Sequence, residues 1–277
     1  MDSWEDALFR SWTVIITRYA KLYWNFIRFS FAQASALRAE FWMRIFMDVF
    51  YYAAAIGFYK LIFHQTGELV GWSEQDAMLF VGLYLLLDGL QMTLFANSSW
   101  WFPALVNRGD LDYYLVRPVS TLFFISLRDI SLASLVNVMM AASIVVWAIV
   151  NLPHPITLAQ IALSFILLLN GLFIFYCLRW LFMLPVFWSQ MGRGLDNVFW
   201  MMNDLMQRPD AIFRGIFRIL LVTIIPFSLM ASFPARIAIE GISLPTIAHA
   251  LCASVWMFSL MLFVWRRALK IYSSASS

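Results

Sequence analysis

Residues 157–184 read TLAQIALSFILLLNGLFIFYCLRWLFML, with Arg179 as the only charge. A helix of about 20 apolar residues spans a bilayer core, and this run is longer than that. Such a segment has no solvent but lipid or the interior of a large protein, and composition chooses between the two. The 277-residue chain is 62% apolar, 18% aromatic and only 13% charged. A soluble domain carries roughly 45–50% apolar and about 25% charged residues. A water-soluble enzyme is excluded. Further apolar stretches at roughly 42–63, 77–99, 121–150, 212–233 and 246–265 make six predicted spans, with short loops and no room for a large soluble domain.

The 19 Lys and Arg fall unevenly on alternate sides of these spans. All but Lys60 and Arg236 lie on the side that carries both termini, the loop with Arg108 and Arg117, and the stretch from Arg193 to Arg218. The positive-inside rule places that side in the cytoplasm. The acidic start MDSWEDALFR has no basic n-region or apolar h-region, so no signal peptide is expected. Trp4, Leu8, Trp12, Ile15, Tyr19, Leu22 and Phe26 recur at helical spacing, with Arg10, Arg18, Lys21 and Arg28 behind them. That pattern predicts a helix lying in the membrane interface; packing on another protein is the competing reading.

Cys177 and Cys252 form no CxxC pair, and His64, His154 and His249 have no HxH or HExxH spacing, so no metal site is predicted. All three histidines fall on or near the outer side. None of the three lysines follows a glycine, and GxxxxGK[ST] is absent. The chain therefore lacks the loop whose N–H groups and lysine hold nucleotide phosphates. If ATP drives it, the ATPase is another polypeptide.

The loop after the second stretch, WWFPALVNRGDLDYYLVRPVS at 100–120, is too long for a passive turn. An amphipathic helix joined stiffly to two spans makes a lever for a partner. Arg108 to Ser120 (RGDLDYYLVRPVS) resembles the G-x-L-(D/E)-x-x-L-x-x-P-V-S signature of ABC-2 type exporter permeases. Ile225 to Met230 (IPFSLM), continued by Phe233-Pro234-Ala235 and Gly241, is similar to the same family's P-F-x-x-x-x-x-P-A…G stretch. RYAKLY at 18–23 and LRAE at 37–40 match its N-terminal pattern.

The resemblance implies an all-α, six-span membrane protein of the type V exporter-like fold. Residues 1–40 would form a cytoplasmic connecting (elbow) helix and 41–277 the transmembrane domain. Two permeases, identical or different, would pair in the membrane above ATPase subunits that bind ATP and Mg; this chain would hold no cofactor and no nucleic acid. The coupling helix falls at about 100–118, where Trp101, Leu105, Arg108, Gly109, Asp110, Leu111, Asp112, Arg117 and Pro118 would meet the ATPase. A broken, re-entrant outer region falls at about 226–245, with Pro226, Phe227, Pro234, Arg236 and Glu240. The setting implied is a bacterial cytoplasmic (inner) membrane.

Charges at membrane depth are costly and mark candidate sites. Asp48 follows Arg44 by four residues and is explained by that pair. Asp88, with Gln91 one turn on, stands out as a pathway-lining candidate, joined by Ser134, Asn137 and Asn170 on the next two stretches. The same polar stripe also suits hydrogen bonding between helices. The Met-rich stretch 188–210 is expected to lie on the inner leaflet or to extend the fourth span. The function expected is ATP-driven export of an amphipathic, drug-like or lipid-like molecule. The alternatives are an ion-coupled secondary transporter or a multi-span enzyme, for which no GxSxG, HExxH or paired carboxylates are found.

Overall fold

A computed structural model describes residues 17–31, 38–66, 71–189 and 192–272. They are mostly helical, with no strand among them. The helices are α1 (17–31), α2 (Arg38–Thr66), α3 (Glu74–Gln91), α4 (Asn97–Asn107), α5 (Asp112–Leu115), α6 (Thr121–Leu127) and α7 (Leu135–Val150), then α8 (Leu158–Met183), α9 (Val186–Ser189), α10 (Gly192–Asn203), α11 (Gly215–Ile219), α12 (Leu229–Ile239) and α13 (Leu244–Ile271). Trp4, Leu8, Trp12 and Ile15 of the predicted interfacial face lie outside the described residues, as do the side chain of Arg44 and hence its pairing with Asp48.

Among the described residues five helical runs are long and apolar enough to cross a membrane, Ile45–Gln65, Glu74–Asn107, Leu132–Val150, Leu158–Ser189 and Leu244–Ile271, and a bent pair makes six if it counts as one span. α3 sits at the centre, packed on α7, α12, α2 and α8. Gly82 and Gly89 make the α3–α7 crossing close: a β-carbon on Gly89 would fall 3.1 Å from the Val138 nitrogen. Side chains also start the helices. Ser73 and Asp76 cap α3 reciprocally, and Thr157 and Gln160 do the same for α8, satisfying N–H groups that have no helical partner.

The predicted fifth span has a different course. Gly215–Ile224 and Leu229–Ile239 are bent by 97° relative to each other. Leu220–Ile224 is a π-helical turn, and Pro226 beyond it has no N–H to continue the ladder. Both limbs return to one end of the bundle, since Arg218 before the bend and Arg236 after it reach the same carboxylate, Asp210. The break itself lies between Ile224 and Leu229 and contains Pro226, while the first limb of the bent pair starts at Gly215.

The chain reaches that end through the Met-rich segment. Trp188 and Ser189 extend the fourth run. α10 then turns back along α8: Asp196 meets Arg179, and Phe199 stacks edge-on against Phe175 and Phe182. The Gln207 carbonyl accepts from the Tyr59 hydroxyl at 2.5 Å, and Asp210 N–H donates to Ser232 Oγ at 3.0 Å. Residues 192–210 thus traverse the bundle instead of lying along its lower edge. Arg208, Arg214 and Arg218 consequently join Lys60 and Arg236 at the upper end, and the charge asymmetry is weaker than the sequence count.

Candidate functional site

The lower end of the bundle is built around 100–120. α4 stops at Asn107, and Gly109 takes φ +78°, which only glycine adopts without strain. The chain reverses there and starts the single turn of α5. Leu111 is fully buried, and Phe102 packs on Trp180, Phe187 and Trp265, tying the loop to the lower ends of α8, α9 and α13. Pro118 ends the turn, and Ser120 caps α6 by accepting from Phe123 N–H.

Other elements brace the loop. Ser120 N–H donates to the Tyr19 hydroxyl of α1 at 2.9 Å, with Tyr19–Phe123 and Phe26–Phe124 as edge-on ring pairs. The Tyr114 hydroxyl receives Arg128 Nη1, and Arg128 in turn pairs with Asp129 at 2.9 Å. Asp129 N–H donates to Ser98 Oγ on α4. Arg117 lies over the Phe124 ring at 4.6 Å. At the end of α13, burial and the neighbouring charges of Asp112 and Asp110 hold the Tyr272 hydroxyl above the usual tyrosine range, so it stays a neutral phenol.

The outward face is Trp101, Arg108, Tyr113, Val116, Arg117 and Pro118, with Val116 83% exposed. Leu105, Asp110 and Asp112 are half-buried beside it. An exposed patch of aromatic, aliphatic and cationic side chains on a braced loop has the make-up of a docking surface. Tyr113 and Val116 were not singled out by the signature, although both lie inside it.

The membrane-depth candidates separate into different places. Gln91 Nε2 donates to Asp88 at 3.1 Å. Asn137 lies against Gly89 of α3, Tyr52 of α2 donates to its backbone carbonyl at 3.3 Å, and Ser134 bonds Ser131. Asn170 instead donates to Ser254 at 2.6 Å, in the α8–α13 contact. Asn170 is thus apart from Asp88. Asp48 is close enough to Asp88 for their charges to interact, and Asp88 and Asp204 both lie within electrostatic range of the paired hydroxyls of Tyr51 and Tyr84. The signal for Asp48 was the spacing Asp48, Tyr52, Tyr59, Phe63, the inward face of α2.

In the upper region Pro226 and Phe227 are buried at the bend, Phe227 against Phe199 and Phe182. Pro234 lies inside α12, and its carbonyl accepts from Ser164 at 2.8 Å. Glu240 accepts from Trp72 Nε1 at 3.1 Å and is 3.9 Å from Arg236. Asp210, which nothing in the sequence marked, is fully buried between Arg218 at 2.8 Å and Arg236 at 3.1 Å. His154 pairs with Asp76, and His249 sits against the Val222 carbonyl.

A family model described as ABC-2 family transporter protein matches residues 49–276, which hold both the braced loop and the bent pair. No curated protein and no solved structure matches the chain.

Proposed function

Because the chain belongs to the ABC-2 family of transporter proteins, whose members are the membrane subunits of ABC transporters and not the ATPases, we propose that it is one permease of an ATP-driven exporter. The observation that carries this is the loop at 100–118: exposed on one side through Tyr113 and Val116, and anchored on the other by the buried Leu111 and by Phe102, which packs on the ends of three helices. ATP and Mg belong to an ATPase subunit docked on that face. ATP binding draws two such ATPases together, the loops move with them, and the packing of α3 and α7 changes with α4 and α6. A second permease, identical or different, completes the pathway in a bacterial cytoplasmic membrane, with the braced loop on the cytoplasmic side.

The test is co-purification of the transporter with its ATPase. Val116→Asp with Tyr113→Asp releases the ATPase while the permease stays folded; undiminished ATPase binding by that variant overturns the assignment. The group of Asp48, Asp88 and Asp204 favours one second reading, an ion-coupled transporter. Transport that needs a proton gradient and continues without the ATPase would select it.

A further inference from the structure

Two cavities flank the segment 218–225, one above the other along α13. The upper, about 330 Å³, is lined by Asp210, Arg218, Thr223, Arg236 and His249. The lower, about 320 Å³, is lined only by apolar residues, among them Leu178, Phe182, Ile225, Trp256 and Leu260. His249 and Trp256 are two helical turns apart on one face of α13, about 10 Å at 1.5 Å per residue. The vertical order is that of a lipid, with a polar part at the end of the bundle and an apolar part below it.

The charges of the upper cavity do not balance. The buried Asp210 carboxylate meets Arg218 through Nε and Nη2, at 3.1 and 2.8 Å, and Arg236 through Nη2. One carboxylate therefore faces two guanidinium groups. Arg236 Nε is buried without a hydrogen-bond partner; the nearest carboxylate oxygen, on the half-exposed Glu240, is 3.9 Å away and is held by Trp72. His249 Nε2 is against a carbonyl, so it carries its proton there. Arg236 Nε is thus a buried donor left over, one that a phosphate oxygen would satisfy.

We propose that the bent pair and α13 bind one anionic membrane phospholipid, its phosphate at Arg218 and Arg236 and one acyl chain in the groove beside Trp256. The site rests on the chain being embedded in a membrane and is independent of ATPase docking. It makes the position of the bent pair depend on the surrounding lipid.

The full-length protein is reconstituted in nanodiscs of equal phosphatidylglycerol and phosphatidylcholine, extracted, and its retained lipid counted by native mass spectrometry. Retention of phosphatidylglycerol in roughly fivefold excess is expected, the size of effect one uncompensated cation has on anionic lipid. Arg218→Gln brings the ratio to about one, while Arg218→Lys keeps it. Phosphatidylglycerol brominated on an acyl chain quenches the fluorescence component that Trp256→Phe removes, and brominated phosphatidylcholine does so less. Equal retention, or equal quenching by the two lipids in the unsubstituted protein, overturns the proposal even if Arg218→Gln fails to fold. Displacement of the lipid by millimolar inorganic phosphate also overturns it, since the site would then hold a small anion.

Discussion

A β-carbon placed on Gly171 of α8 would fall 2.5 Å from the carbonyl oxygen of Met230 on α12. That carbonyl is free to face α8 because Pro234, four residues on, has no N–H to donate to it. The proline and the glycine together let two backbones touch, and Ser164 donating to the Pro234 carbonyl fixes the next turn of the contact. Gly171→Ala must push α12 away, since backbone cannot yield as a long side chain can. The transporter is expected to lose about 1–3 kcal/mol of stability, the range for overpacking a tight core. Gly57→Ala on α2, where nothing lies within 4 Å, is the control and should be neutral or stabilising. Thermal unfolding in detergent compares the two; equal melting temperatures would show that α12 is not held there.

Arg179, 2% exposed, is shared between two helices: Nη1 is 2.5 Å from Asp196 on α10, and Nε donates to Ser99 on α4 at 2.9 Å. Its guanidinium also lies over Phe199 and Trp200. Removing Asp196 leaves a buried cation without a counter-charge, which costs about 3–5 kcal/mol when a buried pair is broken. Asp196→Ala should therefore unfold or misplace α10. Arg179→Met with Asp196→Leu, which removes both charges, should recover most of the loss. Protease sensitivity of the segment after Ser189 reads this out, and a double variant as sensitive as Asp196→Ala would contradict the pairing.

The same segment explains where sequence reading succeeded and where it stopped. Hydropathy finds a span when a helix faces lipid, as α2, α7, α8 and α13 do with Phe46, Val146, Phe165 and Val255 outward. α10 buries Phe199 and Asn203 but leaves Asn197, Val198 and Met201 exposed, and with Asp196, Asn197 and Asn203 interrupting it there is no apolar window to detect. The 212–233 stretch has the opposite character, apolar enough to look like a span but bent back at Pro226. The loop at 108–120 was legible because Gly109, Pro118 and Ser120 each do a local backbone job that spacing reveals. Asp210 was not, since its partners are eight and 26 residues away across a bend that no periodicity encodes.

Within the loop, burial separates holding from docking. Leu111→Ala empties a fully buried position and should cost about 2–5 kcal/mol, lowering the melting temperature whether or not a partner is present. Val116→Asp touches no neighbour's core and should leave the melting temperature of the isolated permease unchanged while weakening ATPase binding. Gly109→Ala lies between these two, because its φ of +78° strains any side chain by about 1 kcal/mol. Melting curves with and without the ATPase distinguish the three; a Val116→Asp protein that melts early would make that residue part of the fold.

Asp88 gives the sharpest test of a pathway at membrane depth. It is partly exposed, accepts from Gln91 at 3.1 Å, and has the carboxylate of Asp48 within electrostatic reach. Asn at position 88 has nearly the same shape and keeps an acceptor for Gln91. The change also removes a like charge from the group, so Asp88→Asn should assemble normally and melt no earlier than the parent. If Asp88 serves only the packing of α3, transport is then unaffected, because its hydrogen bond with Gln91 survives. If the carboxylate lines the route, its charge meets the cargo or a counter-ion, and the loss should exceed tenfold, since an ionic hydrogen bond contributes about 1.5–3 kcal/mol. ATP-dependent transport in proteoliposomes, measured beside the melting temperature, decides this: unchanged transport in a normally assembled Asp88→Asn complex would leave Asp88 to helix packing alone.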